Sequence, residues 1–410
     1  AIYLLGAISW LYIGFKVKRP FFGSFVGALW FFMPNNLYVL FHEGNLPQSM
    51  CIAILPLLMY LVYRCLREKP WYAWCELSVC FSVFALCQPG YAGLVFLAFV
   101  VYFTLDAIVS REWLGGVRVA VSLALGYLLA GTWLAPFVVR NGVSEVSMDV
   151  LADYFQDMFL SLNPAARFQR GCVDVYFGLA VLLLAVFGGL LSKRKSLPGF
   201  WTGLVIFIGT SNGSYILLSH LPGGQVLQML RFISIALCMV LFSFLIWDTL
   251  KKGWIIIFAA LLVLDALPSL PMVVGHLAET KPQEILADYA EWTLVEQAKE
   301  ITKQRLALVD ESALNAMGAY LATGFGETAP ISYGAMGELS ATSTNFLQIE
   351  RALEEGEYPY VFDRCLELGN DTVIVRMDIV GSLERHPVKD MDAAALSVGY
   401  RLVNSNDNYR

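Results

Sequence analysis

Basic residues in this chain fall in every second loop between its apolar runs. Ten apolar segments lie near 1–15, 21–37, 48–63, 71–87, 91–108, 114–137, 173–191, 199–218, 226–248 and 254–270. Lys16, Lys18 and Arg19 follow the first segment, and Arg64, Arg67 and Lys69 the third. Arg111 and Arg118 flank the junction after the fifth. Lys193, Arg194 and Lys195 follow the seventh, and Lys251 and Lys252 the ninth. Bilayer proteins keep Lys and Arg in their cytoplasmic loops, so this alternation predicts about ten transmembrane helices with those loops in the cytoplasm. Loops 35–48, 88–90, 138–172 and 219–225, and everything after 272, are then extracytoplasmic. Several segments are shorter than the ~20 residues of a simple span. Ala1 also falls outside in this register, with no initiator Met, basic n-region or cleavage site before it. The expectation is that further N-terminal helices, with an outer loop, precede it.

Composition agrees and divides the chain. It is 57% hydrophobic and 15% charged, against roughly 25% charged in an ordinary soluble domain. Residues 273–410 carry 22 acidic and 11 basic side chains, a net of −11, which leaves 12 acidic and 17 basic in 1–272, a net of +5. A transmembrane domain, 1–272, thus precedes an extracytoplasmic acidic domain, 273–410. The second part alternates: a helix near 283–303, a strand 305–310, a Gly-, Ser- and Thr-rich stretch, helices near 345–355 and 359–368, a strand 371–377, a helix near 390–399 and a strand near 400–404. That order predicts a small α/β domain with a parallel sheet. Neither part has the basic, aromatic-interleaved surface of a nucleic-acid binder. The eight scattered Cys contain no CxxC pair and read as apolar filler.

The polar chemistry gathers on the outer side, where all four His lie. The stretch Pro34-Asn-Asn-Leu-Tyr-Val-Leu-Phe-His-Glu-Gly-Asn-Leu-Pro-Gln48 has more polar groups than an inter-helix turn needs. Glu43 reads either as a solvated carboxylate or as a base or metal ligand, with His42 beside it. Arg231 sits just inside an apolar helix after the Pro222-Gly223-Gly224 turn. An Arg there either snorkels or meets an anion, and a lipid phosphate suits its planar fork. Arg140, Arg167 and Arg170 read as headgroup or solvent contacts, and Gln88 before Pro89 as a helix-end cap or substrate contact. Asn36 and His220 complete the outer polar set. The pattern over 149–160 predicts an amphipathic helix on the outer membrane surface, with Asp149, Asp153, Gln156 and Asp157 on one face. Acidic residues are scarce at mid-membrane, which argues against a proton- or ion-coupled carrier.

Five places carry a family resemblance. They are Pro34–Gln48 with Leu55-Pro-Leu57; Gln88-Pro-Gly90; Trp133-Leu-Ala-Pro136; Asn163-Pro164 with Tyr176-Phe-Gly178; and Leu227-Gln-Met-Leu-Arg-Phe232, similar to a Gln-Phe-x-x-Arg-Phe pattern. Together they resemble bacterial polytopic glycosyltransferases of the GT-C class, among them the 6-pyruvoyl-tetrahydropterin synthase-related membrane proteins and their lipoteichoic-acid-glycosylating relatives. The resemblance implies a multi-pass protein of the bacterial cell membrane. It would move a sugar from a polyprenyl-phosphate donor to a cell-envelope glycan or polymer outside the cytoplasm. It also implies a catalytic carboxylate at the outer surface, for which Glu43 is the candidate with His42 beside it as a second catalytic residue, aided by a divalent metal such as Mg or Mn. Cationic and polar groups would hold the substrates: Arg231, Arg140, Gln88, Asn36, His220 and Arg167. A non-catalytic component of envelope polysaccharide assembly or export is the alternative reading.

Overall fold

A computed structural model describes residues 2–41, 45–68, 70, 72–141, 160–162, 176–218, 220, 229–270, 292–309, 329–332, 341–375, 377, 387–406 and 409–410. The chain forms two compact units, one comprising Ala1–Leu134 and Glu145–Leu277, the other Ala135–Ser144 and Ala278–Arg410.

The first unit is helical: α1 (Ile2–Lys16), α2 (Pro20–Phe32), α3 (Pro34–Phe41), α4 (Leu46–Arg67), α5 (Ala73–Cys87), α6 (Pro89–Ser110), α7 (Trp113–Asn141, in this unit as far as Leu134), α8 (Leu179–Leu191), α9 (Leu197–Gly209), α10 (Phe232–Ile246) and α11 (Lys252–Ala266). Four described helices are long and apolar enough to cross a membrane, or five if the bent pair α2–α3 is one span. The apolar segment 21–37 is therefore not one straight helix. It breaks by 52° at Met33, because Pro34 has no N–H for the carbonyl four residues back.

α10 is the axis of the unit. All fifteen of its residues are buried, as expected for a helix that is apolar on every side. It packs on α2, α3, α4, α6, α8 and α9. Small residues let neighbours approach closely: a Cβ at Gly203 of α9 would lie 2.4 Å from Val240 Cγ2, and one at Gly23 of α2 would lie 2.7 Å from Gly14 Cα. Such small-residue contacts are how helices pack where no hydrophobic force separates them from lipid. Phe21, Leu128, Trp133, Leu190 and Ile256 are among many large apolar side chains left exposed around the bundle, which suits a lipid-facing surface.

The basic loops meet at one end. Arg19 donates to Leu245 O at 3.2 Å and Trp247 O at 3.0 Å, supplying donors and positive charge to the carbonyl end of α10. Arg67 pairs with buried Asp106 and donates to Arg194 O at 3.0 Å. Arg64 binds Glu76 at 2.6 Å and Glu68 at 3.2 Å. This end holds the charges and belongs at a membrane–water interface. From it, α5 and α10 run 15 residues and α8 and α9 run 13. At 1.5 Å per residue these helices are about 20–22 Å long, against a hydrocarbon thickness of ~30 Å. α10 extends further through the 3-10 turn Met229–Arg231, which brings its apolar run to 18 residues.

In the second unit the described strands β1 (Leu306–Val309), β2 (Ile331–Ser332) and β3 (Thr372–Val375) form a parallel sheet in the order β2-β1-β3. Leu306 aligns with Ile331 and with Thr372. One face packs Leu306, Leu308 and Ile374 on helix α12 (Trp292–Ile301) through Leu294 and Val295. The other packs Ala307, Val309 and Val375 on α13 (Ala341–Glu355), α14 (Tyr358–Glu367) and α15 (Val388–Ser397). The strand expected at 400–404 does not form; 401–406 has no ladder. Instead Val375 and Arg410 exchange two backbone bonds of 2.8 Å, and the Arg410 guanidinium clasps Asp392 on α15. Asp371 anchors the chain before β1. Burial raises its carboxyl pKa, but bonds from the backbone N–H groups of Lys303, Arg305 and Gln304 outweigh this, so it titrates below the ordinary range.

Candidate functional site

The candidate site is built around the N-terminal mouth of α10. A single 3-10 turn, Met229–Arg231, leads into the helix and leaves Arg231 half-buried at its cap. Ser234, on the first turn of α10, is fully buried and joins a hydrogen-bond chain with α3. Asn35 Nδ2 donates to Ser234 Oγ at 2.8 Å, and Ser234 Oγ donates to Asn36 Oδ1 at 2.8 Å. Asn36 Nδ2 then donates to Trp30 O at 2.7 Å. Trp30 is the residue four before Pro34, so this is the carbonyl that proline leaves without a partner. Asn36 repairs the kink and ties it to α10. That use accounts for Asn36 structurally, and its side chain is buried among protein partners.

Two more polar residues of the 34–48 stretch also have local uses. Asn45 caps α4, accepting from Gln48 N at 3.1 Å and donating to Gln48 Oε1 at 3.2 Å. This is a reciprocal cap of the capping-box kind. His42 and Glu43 lie outside the described residues.

The second wall is the α5–α6 turn. Gln88 is the C-cap of α5 and the N-cap of α6, in extended backbone, but its side chain makes no cap bond. Its Oε1 is buried and has no hydrogen-bond partner among the described residues. Three residues on, and so on the same side of α6, Tyr91 is fully buried with its hydroxyl equally without a partner. Arg231 lies close enough to act on that hydroxyl electrostatically. Tyr127 of α7 closes the turn by donating to Pro89 O at 2.9 Å. Unpaired buried polar atoms are uncommon, since each costs about 1–3 kcal/mol. The Tyr91 hydroxyl can donate to an anion held by the guanidinium, whereas Gln88 Oε1, an acceptor, calls for a donor.

A third polar point, at Asp265, is structural. Asp265 Oδ2 accepts from Val181 N at 2.9 Å and Oδ1 accepts from Tyr176 OH at 3.2 Å. The carboxylate thereby caps the N-terminus of α8. Gly178, at φ 100°, is required there, because a Cβ would lie 2.4 Å from Asp265 Oδ2.

Of the residues singled out in the sequence, the structure places Arg231 at the mouth of α10, Gln88 at the α5–α6 turn and Asn36 in the hydrogen-bond chain of the α3 kink. Arg140 lies in the last turn of α7. His220 is exposed after a single turn, Tyr215–Leu218. Arg167 and Arg170 lie outside the described residues, as does the expected amphipathic helix 149–160. Among the described residues no three His, Cys, Asp or Glu converge to hold a metal ion. Sequence reasoning missed Tyr91 and Ser234, which sit in apolar runs. Their only signals were Tyr91 three residues after Gln88 and Ser234 three after Arg231.

Comparison with protein families gives two matches. Residues 1–273 match the family model described as 6-pyruvoyl-tetrahydropterin synthase related domain; membrane protein. Residues 290–410 match a domain of unknown function, DUF8559. No curated protein matches the chain.

Proposed function

The chain belongs to the 6-pyruvoyl-tetrahydropterin synthase related family of membrane proteins, and from that premise we propose that it is a membrane glycosyltransferase. In this reading it uses a polyprenyl-phosphate-linked sugar, has the ten-helix GT-C arrangement, and modifies a cell-envelope glycan or polymer outside the cytoplasm. The observation that supports the proposal is Arg231 at the mouth of α10, within electrostatic reach of the buried Tyr91 hydroxyl, which has no hydrogen-bond partner among the described residues. A lipid phosphate entering from the bilayer would find a cation in Arg231 and a hydroxyl donor in Tyr91. Hydrogen bonds to charge are strengthened where water is scarce.

In the reaction, the acceptor hydroxyl oxygen forms a bond to the anomeric carbon and the bond from that carbon to the phosphate oxygen breaks. The phosphate leaves with the bonding pair, and Arg231 stabilises its growing charge. Glu43, with His42, takes the acceptor proton. Arg140, Arg167 and His220 serve the headgroup and the acceptor, and the acidic 273–410 domain, on the outer side, guides the acceptor glycan.

The test is sugar transfer from a polyprenyl-phosphate donor by the full-length protein. Arg231→Lys keeps the charge but loses the planar fork. Loss of one charge-assisted hydrogen bond of ~1.5–3 kcal/mol lowers turnover about 10- to 150-fold if it acts in the transition state, with protein level unchanged. Full transfer in both Arg231→Lys and Arg231→Gln would remove the residue from the site.

A further inference from the structure

We propose that the basic end of the seam between α8 and α11 binds an anionic phospholipid, a surface that stands independently of the glycosyltransferase reading. Four lysines frame it. Lys193 and Lys195 lie in the turn after α8, and Lys251 and Lys252 are the cap and first residue of α11. All four are exposed, and none has an acidic partner among the described residues. Asp248 is the one acidic residue in the two loops. Side-chain contacts fix both loops. Arg67 donates to Arg194 O at 3.0 Å. The rings of Phe200, in the first turn of α9, and Trp247 meet at 5.4 Å between centroids, and Trp247 Nε1 donates to Thr249 Oγ1 at 3.0 Å. Lys251 and Lys252 also stand where a helix dipole disfavours cations. An anion between the two lysine pairs relieves a charge conflict that the fold itself leaves standing.

Apolar groups adjoin the cations and select a lipid over a free phosphate. Phe187 of α8 packs on Phe258 of α11 with ring centroids 6.1 Å apart, and the Trp254 ring lies 6.2 Å from the same Phe258. Phe187 and Trp254 are nevertheless exposed, as are Leu190, Leu191 and Ile256. The chain enters the basic end along α8 and leaves it along α11, so these side chains lie within about two turns of the lysines. An ammonium group meets a phosphate as a point charge and needs no planar fork. A Trp ring just below it suits the headgroup boundary. The phosphate sits between the lysine pairs, and the acyl chains run along Phe187, Leu190 and Trp254. A soluble anion leaves that apolar surface uncovered. A zwitterionic lipid covers it but adds its own cation beside four others.

The experiment reconstitutes the full-length protein in nanodiscs and follows Trp quenching by phosphatidylglycerol with brominated acyl chains, against phosphatidylcholine with the same chains. The Trp254 signal is the wild-type quenching minus that of Trp254→Phe. Each nearby cation is worth about fivefold in affinity. Two lysines meeting one phosphate therefore predict a preference of about 25-fold for phosphatidylglycerol in that signal. The quadruple variant Lys193→Gln/Lys195→Gln/Lys251→Gln/Lys252→Gln should abolish the preference, and the four Lys→Arg exchanges should keep it. The proposal is overturned if Trp254 is quenched equally by both lipids, or if the quadruple Lys→Gln variant keeps the preference. It is equally overturned if glycerol phosphate, without acyl chains, displaces phosphatidylglycerol at equal concentration, since the site then reads the anion alone. The wild-type comparison of the two lipids decides alone if the quadruple variant does not reconstitute.

Discussion

Asn36→Ala should be strongly destabilising, and Pro34 should decide how much. In the wild-type kink, Asn36 Nδ2 reaches Trp30 O at 2.7 Å and Asn36 Oδ1 accepts from Ser234 at 2.8 Å, with all three residues buried or nearly so. Alanine leaves the Trp30 carbonyl orphaned, at about 1–3 kcal/mol, and removes the Ser234 bond, at about 0.5–1.5 kcal/mol. The expected loss is about 2–4 kcal/mol. Pro34→Ala returns an N–H to the position that serves Trp30 O in an unbroken helix. In that background the Trp30 share disappears, so the Asn36→Ala loss should shrink by about 1–3 kcal/mol. The assay is a double-mutant cycle of unfolding in mixed micelles, which cancels whatever Pro34→Ala does alone. An equal Asn36→Ala loss in both backgrounds would refute the claim that Asn36 repairs the proline kink.

Further outcomes follow from other contacts. Gly178→Ala meets both a positive φ and the Asp265 carboxylate at 2.4 Å; it should cost about 1–3 kcal/mol or more in the same unfolding assay, and a neutral result would dissociate Asp265 from the α8 cap. Asp106→Ala leaves Arg67 without its buried partner; folded yield should fall by an amount equivalent to about 3 kcal/mol, with Arg67→Met/Asp106→Leu recovering part of it, and an unchanged yield would count against the pair. Asp371 has a depressed pKa in the folded state. Its stabilisation is therefore full above the unfolded value near 4 and is lost as pH falls through the lower folded value. Hydrogen exchange at β1 and β3 should show wild type losing more protection than Asp371→Ala across that acid range, and parallel losses would contradict the assignment. In intact cells, a Cys placed at 194 should resist an impermeant thiol reagent, because the basic end is read as cytoplasmic; rapid labelling would invert the topology.

The helical unit was legible where one rule dominates. Apolar runs and basic loops placed the helices and gathered Arg19, Arg67 and Arg194 at one end. Legibility failed where a polar residue's partner is far along the chain. Asn36 reads as loop chemistry until Ser234, 198 residues away, accounts for it. Asn45 and Gln48 carried a capping signal that the richness of the loop obscured. Tyr91 and Ser234 are silent in an apolar run, because whether a buried hydroxyl finds a partner is a tertiary property. Similarly, α8 starts at Leu179 and not near 173, since Gly178 and the distant Asp265 set its cap. In the second unit, β1 and β3 lie on the two alternating apolar runs. β2, two residues long, has no run to show, and 400–404 has strand-like residues but no ladder partner.

The most direct measurement is equilibrium binding of a long-chain polyprenyl phosphate to the purified full-length protein, compared with the uncharged polyprenol. The site at the mouth of α10 predicts that wild type prefers the phosphate and that Arg231→Gln and Tyr91→Phe each weaken it. Arg231→Gln should do so by about 10- to 150-fold, the equivalent of ~1.5–3 kcal/mol, and polyprenol binding should not change. Equal affinity for phosphate and alcohol, or phosphate binding untouched by Arg231→Gln, would contradict the account.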